Sequence, residues 1–150
     1  MDAPGLFQLI FLALFILPGI FFLITLQNIL KAISIENRKM PPSNVWLLLI
    51  PLFNFFWQFI VVDKIAQSIT MECDKLNIPV KENKPTYKIG LAWNICTLLF
   101  FIPVLGNLAA LVLFIAYWIK VNEYRKLIIS NQNSFLLDAE RNIFYGDKVI

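Results

Sequence analysis

The chain has 150 residues, of which 59% are hydrophobic and 15% are charged, and its mean hydropathy is +0.69. This apolar content exceeds what a water-exposed domain of this size can bury, and the length leaves room for one helical domain. The net charge of +3 is small, and its lysines are mixed with acids, which argues against nucleic acid as a partner.

Three stretches contain no Asp, Glu, Lys or Arg: residues 3–30, 40–62 and 89–119, of 28, 23 and 31 residues. A helix needs about 20 apolar residues to cross the hydrocarbon layer of a bilayer, so each stretch is long enough. We therefore expect an all-α fold, a polytopic transmembrane helix bundle with about four membrane segments arranged as two hairpins. Residues 1–129 are expected as the transmembrane domain and residues 130–150 as a polar C-terminal tail.

The first stretch is too long for the apolar part of a cleavable secretion signal, which is about 7 to 15 residues, and it lacks a positively charged start. We expect it to stay as a membrane anchor that bends at Pro18. In the second stretch, Pro51 cannot donate to a helix and disfavours helix at Ile50. Residues 43–50 are therefore expected as a separate short turn, and a long helix is expected from Pro51 to about Ile69.

As one straight helix the third stretch would extend about 46 Å, well beyond the apolar layer of a bilayer. Pro103 and Gly106 lie near its middle and favour a hairpin with a turn at residues 102–107, while one strongly kinked helix is the alternative. Lys88 and Lys120 are then brought to the same membrane surface. Aromatic and basic side chains favour that depth, so the expected interface anchors are Trp46, Trp93, Trp118, Lys88 and Lys120.

The distribution of basic residues predicts which side of the expected bundle faces the cytoplasm. Residues 63–88 hold five lysines and the chain from Lys120 onward holds five Lys or Arg, whereas the opposite side has Lys31, Arg38 and Lys39. Both termini are therefore expected in the cytoplasm. Residues 71–87, which include Cys73, are expected as a charged loop, and residues 130–134 as a flexible segment.

The apolar stretches contain neutral polar residues, and these are the candidate site. Asn54 and Gln58 share one helix face, as do Asn94 and Thr97, and Asn107 follows the expected turn. We interpret them as hydrogen-bonding between helices, a contact typically worth about 0.6 kcal/mol. The alternative is that they line a pore, and a quinone or lipid site near Trp46 and Trp57 is a further alternative.

The sequence has few residues of the types that act as catalytic bases, nucleophiles or metal ligands. The chain has no histidine, and its two cysteines, Cys73 and Cys96, form no ligand cluster or expected disulfide. We therefore predict no catalytic, cofactor-binding or metal-binding residues, no cofactor and no enzymatic activity. The three stretches contain no Asp, Glu, His, Lys or Arg, which argues against transport coupled to protonation.

The residues ENRKM at 36–40 and VWLLLIPLFN at 45–54, followed by Trp57, Phe59 and the run 66–68, resemble a family of small, uncharacterised bacterial multi-pass membrane proteins with about four helices. The residues around Gly90, Pro103, Tyr117 and Tyr124 fit the same pattern, so the likeness extends over residues 23–127. The resemblance implies a bacterial cytoplasmic membrane and brings no catalytic residue.

We therefore expect a non-catalytic integral membrane protein that is a small structural or accessory subunit of a membrane complex or homo-oligomer. Its expected partners are membrane lipids and other membrane protein subunits or further copies of itself. One alternative is an oligomeric passive channel lined by neutral polar residues, and another is lipid or quinone binding.

Overall fold

The computed structural model describes residues 3–98 and 105–146. These residues form four α-helices, α1 (Ala3–Ala32), α2 (Asn54–Lys75), α3 (Tyr87–Leu98) and α4 (Leu105–Gly146), and two 3₁₀ segments, Ile35–Asn37 and Pro42–Leu49. Strands are absent from both described ranges, and the predicted all-α class is confirmed. Over the same ranges, no helix combines the length and the apolar character needed for crossing a membrane.

The core lies between α1, α2 and α4, where apolar residues recur three and four positions apart. On α1 these are Phe22, Leu26 and Ile29, followed by Ile33 directly after the helix, and Pro18 lies inside the helix upstream of them. On α2 the buried positions include Val61, Ile65 and Ile69, and α4 adds Tyr117, Val121 and Ile128. This spacing places each set on one helix face, which packs against the other two.

The second apolar stretch folds back on itself at Leu52. The 3₁₀ segment Pro42–Leu49 forms the separate element expected before Pro51. Leu52 then has a φ of 63°, and the Phe53 N–H donates to the Pro51 carbonyl at 2.7 Å, which closes a γ-turn. Because a left-handed residue cannot belong to a right-handed helix, α2 begins at Asn54, three residues after the expected start. It does continue past Ile69.

This reversal corrects the expected sidedness of the basic residues. The Lys39 N–H donates to Ser68 Oγ at 2.9 Å, and Lys75 forms an ion pair with Glu36. The end of α1 with Lys31 and the connection with Arg38 and Lys39 therefore lie beside the C-terminal half of α2. Our expectation that these residues lie opposite residues 63–88 is wrong, because residues 40–62 turn around at Leu52 and return.

The two arms of the third stretch pack side by side, as the hairpin interpretation requires. The ring of Trp93 on α3 stacks on Tyr117 of α4 at 5.9 Å. Glu82, earlier in the chain than Trp93, pairs with Lys120, later than Tyr117, so the two arms run antiparallel. Lys88 lies in the first turn of α3, and Lys120 pairs at 3.3 Å with Glu82, just before α3, so both lysines lie at one end.

The turn of this hairpin is described only in part. Pro103 and the side chain of Asn107 lie outside the described residues. Gly106 belongs to the first turn of α4, which begins at Leu105, so the helix has already started before the expected turn ends at 107.

The connection after α2 is shorter than expected. Residues 71–75 are the last residues of α2, and Cys73 is buried in this helix rather than exposed in a charged loop. Asn77 has a φ of 53°, the Ile78 N–H donates to the Cys73 carbonyl at 2.8 Å, and the Asn77 N–H donates to Asp74 at 3.2 Å. These two bonds form a Schellman cap, so the helix ends at an asparagine that tolerates the left-handed conformation.

α4 passes residues 129 and 130 without a break and continues to Gly146. Ile128 is fully buried, and the Gln132 side chain bonds to other helices. Our expectation of a flexible segment at residues 130–134 is therefore wrong, because this part of the chain is helical and anchored.

Candidate functional site

A cavity of about 250 Å³ lies between α1, the 3₁₀ segment Pro42–Leu49, α2, α3 and α4. Three of the predicted polar residues line it, Asn54 and Gln58 from α2 and Thr97 from α3. The rest of its wall is apolar and comprises Gly19, Phe22, Leu23, Leu48, Leu49, Trp93 and Phe114. The structure therefore brings together side chains that the sequence assigned to two separate segments.

Aromatic rings form one wall of the cavity. Phe22 meets Phe114 edge-on with ring centres 4.8 Å apart, and Trp93 lies 5.5 Å from Phe22 and 5.3 Å from Phe114. Such tilted and edge-on pairs hold their rings in fixed orientations. Trp93, which the sequence placed at a membrane interface, is thus half-buried between helices.

The other two tryptophans among the expected anchors pack partly within the fold. Trp118 donates from Nε1 to Thr25 Oγ1 at 2.9 Å, and Trp46 is partly buried against the core. Trp57, linked in the sequence to a quinone or lipid site, donates from Nε1 to the Asn44 carbonyl at 2.9 Å and stacks on Phe53. It lies outside the cavity wall.

Two buried amides near the cavity lack hydrogen-bond partners. Gln58 is 3% exposed and its Nε2 is unpartnered, while Asn94 is fully buried with both amide atoms unpartnered. A Cβ built at Gly90 on α3 would lie 2.6 Å from Val62 on α2. Gln58 lies one helical turn before Val62 on α2, and Asn94 lies one turn after Gly90 on α3. An amide that is buried without a hydrogen-bond partner costs free energy. A bound polar group that pairs with Gln58 or Asn94 would therefore stabilise the fold.

In the described part of the chain, Thr97 Oγ1, Gln58 Nε2 and the Asn94 amide make no hydrogen bond to another helix. Thr97 Oγ1 donates to the Trp93 carbonyl at 2.9 Å within its own helix, because the carbonyl four residues earlier is the nearest acceptor to a helical threonine. The structure thus places Asn54, Gln58 and Thr97 at one cavity, and an interhelical role for the whole set of polar residues stays a prediction.

A second buried polar site lies at the other end of α2, and it was missed by sequence reasoning. Glu72 is fully buried and its carboxylate accepts hydrogen bonds from the Ser34 N–H at 3.2 Å and the Ser34 hydroxyl at 2.8 Å. Asn37 Nδ2 donates to it at 2.8 Å and Gln132 Nε2 at 2.7 Å. The carboxylate thereby joins the end of α1, the 3₁₀ segment Ile35–Asn37, α2 and α4.

The charge on Glu72 is stabilised by these donors. Burial by itself raises the pKa of the carboxyl, but the hydrogen bonds from Asn37, Ser34 and Gln132 outweigh burial and bring the pKa below its ordinary value. Glu72 lies three residues after Ile69 and seven after Ile65, on the buried face of α2. That spacing was the available signal, which the neighbouring charged residues concealed.

Cys73, next to Glu72, is buried, and its thiol is poorly placed to act as a nucleophile. Burial raises the pKa of its thiol to about 11, and the charges of Asp74 and Glu72 act in the same direction. Cys73 and Cys96 are both free thiols.

The cavity offers binding rather than acid–base chemistry. Its polar groups are amides and a hydroxyl, and the described residues around it include no charged side chain. Such a site can orient a neutral molecule through hydrogen bonds and ring contacts. In comparisons with known proteins, no family model, no curated protein and no solved structure matches the chain.

Proposed function

We propose that this protein is a non-catalytic integral membrane protein and a small accessory subunit of a membrane complex or homo-oligomer. The observation that carries the proposal is the separation of apolar and charged surface along the bundle. Large apolar side chains are exposed around the cavity end, and they include Leu17, Phe21, Leu52, Phe56, Leu98, Leu108, Val112 and Ile115. Exposed apolar surface on this scale is typical of contact with lipid or another protein.

The opposite end carries the charged connections. Lys75 pairs with Glu36, Lys84 with Asp63 and Lys120 with Glu82, all away from the cavity end. We infer that the cavity end is embedded in a bacterial cytoplasmic membrane and that the charged end faces the cytoplasm, as basic residues favour. The C-terminal half of α4 is then cytoplasmic. In this proposal, residues 40–62 enter the membrane from the charged side, turn at Leu52 and return to the same side. The proposal therefore differs from the expected two-hairpin topology, in which these residues cross the membrane.

Cysteine labelling tests the sidedness. Lys39 and Lys81 are exposed in different connections at the charged end. In a Cys73→Ala, Cys96→Ala background, we expect Lys39→Cys and Lys81→Cys to react with a membrane-impermeant maleimide in inside-out vesicles and to be protected in right-side-out vesicles. Labelling of the two variants from opposite sides would overturn the arrangement. Release of the protein from membranes by alkaline carbonate would overturn membrane embedding itself.

The accessory role is supported by apolar side chains outside the proposed embedded end. Phe135, Leu136 and Leu137 are exposed on α4, beyond the level of Gln132. Three consecutive exposed apolar side chains among polar neighbours fit a protein contact. Native mass spectrometry of gently solubilised protein is expected to give a higher mass than one chain, and Leu136→Glu is expected to reduce it to the monomer. A wild-type monomer with no bound protein would contradict this role.

The passive-channel alternative gains no support from the fold. It requires Gln58 to face an axis shared by several copies, but Gln58 is buried inside a single chain.

A further inference from the structure

The geometry points to the cavity as a binding site for a neutral, ring-bearing carbonyl compound of the quinone class. The first argument is polarity. Gln58 lines the cavity, is 3% exposed, and has an Nε2 donor with no partner in the chain. A ligand carbonyl would accept this hydrogen bond and remove the cost of the unpaired amide. Asn54, half-buried on the same helix face, is a second amide that a carbonyl can reach.

The second argument is shape. Phe22, Trp93 and Phe114 present aromatic rings to the cavity, and aromatic walls favour flat rings over linear chains. An apolar cavity of roughly 150 Å³ holds benzene, so the volume of about 250 Å³ found here has room for a ring with substituents.

The third argument is charge and access. No charged side chain among the described residues lines the cavity, so a charged ligand would be buried without a counter-ion. Leu49 lines the cavity and is exposed, and exposed Phe21 and Phe53 directly precede the lining residues Phe22 and Asn54. A ligand dissolved in apolar surroundings would reach the site along this exposed surface. The inference uses the proposed membrane placement for the supply of ligand only, and it is independent of any partner subunit.

The test is calorimetric titration of the full chain in detergent, with empty micelles as the reference. Three probes separate the possible sources of affinity: 1,4-naphthoquinone, naphthalene and methyl decanoate. We expect saturable binding of one naphthoquinone per chain, at least tenfold tighter than naphthalene, which lacks the carbonyl, and than methyl decanoate, which lacks the ring. No saturable binding would overturn the proposal, as would equal or tighter binding of either comparison probe.

Two variants locate the site. Gln58→Met keeps the length of the side chain and removes the amide, so we expect it to abolish the preference for naphthoquinone over naphthalene. Gly19→Leu fills the cavity, since a Cβ at Gly19 meets no atom within 4 Å, and we expect it to weaken naphthoquinone binding at least tenfold. Gln67→Met is the matched control on the same helix, because Gln67 bonds to Asp63 outside the cavity and its loss should leave binding unchanged.

Binding that survives both Gln58→Met and Gly19→Leu would overturn the assignment to this cavity. Thermal unfolding of each variant in the same detergent shows that it is folded, and the two variants provide independent readings if one is not. Loss of the ligand site would leave membrane embedding untouched, because carbonate extraction and cysteine labelling report on that separately.

Discussion

Gln132 on α4 donates a hydrogen bond to Glu72 on α2, and its Nε2 also donates to the carbonyl of Ala32 at the end of α1. The distances are 2.7 Å to the carboxylate and 3.0 Å to the carbonyl. One amide therefore ties three helices together at the charged end. This contact explains why α4 is anchored beyond residue 129, where the polar sequence predicted a loose tail.

Replacing Glu72 by alanine should strongly destabilise the fold. The change strands the donors of Ser34, Asn37 and Gln132 in a buried site and leaves a void, and we expect a loss of about 2 to 5 kcal/mol in the free energy of unfolding. Denaturant unfolding in detergent measures it. The control is Glu36→Ala, which removes a solvent-exposed ion pair with Lys75 and should change stability far less than Glu72→Ala. Equal effects of the two changes would contradict a special role of Glu72.

The stability of the protein should fall in acid, and Glu72 should be one cause. The pKa of its carboxyl is lowered in the folded state, so the carboxylate stabilises the fold above the unfolded value, ordinarily 4.5. That contribution is lost as the pH falls through the folded pKa. Thermal unfolding between about pH 7 and about pH 3 should show a smaller loss for Glu72→Gln than for wild type. Asp63, whose pKa is also lowered, accounts for part of the remaining dependence.

Alanine should have opposite effects at two glycines. At Gly90 a Cβ would lie 2.6 Å from Val62 Cγ1 and 2.8 Å from Tyr117 Cε2, and we expect a loss of about 1 to 3 kcal/mol through overpacking. At Gly19 a Cβ meets nothing, and the better helix former should leave stability equal or higher by up to about 1 kcal/mol. Thermal midpoints in one detergent compare them. Adding Val62→Ala should recover part of the Gly90→Ala loss, and no recovery would argue against this steric cause.

Glycine should be favourable at the γ-turn. Leu52 has a φ of 63° and is 78% exposed, so its side chain makes few buried contacts while its Cβ is strained. Leu52→Gly should raise the free energy of unfolding by about 0.5 to 1 kcal/mol over Leu52→Ala, which keeps the Cβ. If the alanine variant is as stable as the glycine variant, the turn is not strained in the way described.

Cys73 should resist alkylation in the folded protein. Cys73 is buried, so a reagent cannot easily reach it. Burial also raises the pKa of its thiol to about 11, so little of the reactive thiolate is present near neutral pH. In a Cys96→Ala background, a maleimide should label Cys73 only after denaturation, as mass spectrometry would detect. Rapid labelling of the native protein would contradict its position in α2.

The sequence predicted the helical class and the break at Pro51, because proline chemistry and apolar periodicity act locally. It also predicted that the two arms around Pro103 meet, and Trp93 does stack on Tyr117. The reversal at Leu52 was not predictable in the same way, since leucine has no preference for a positive φ and only the packed structure enforces it. The position of Lys39 depended on that reversal and was wrong with it.

The candidate site was predicted in its parts but not in its assembly. Asn54, Gln58 and Thr97 were singled out because polar residues are rare in apolar stretches, and they do meet at one cavity. Glu72 was missed because an acidic residue near other charges is typical of an exposed surface. Its three partner residues come from positions 34, 37 and 132, and contacts over such separations leave no trace in local periodicity.

The three long helices that meet at Glu72 also supply three walls of the cavity, through Phe22, Gln58 and Phe114. A slip of one residue along any of them would move a wall by about 1.5 Å and separate a donor from the carboxylate. The hydrogen bonds to Glu72 thus resist sliding of these helices along one another, and a change at this buried anion is expected to reach the walls of a cavity far along α2.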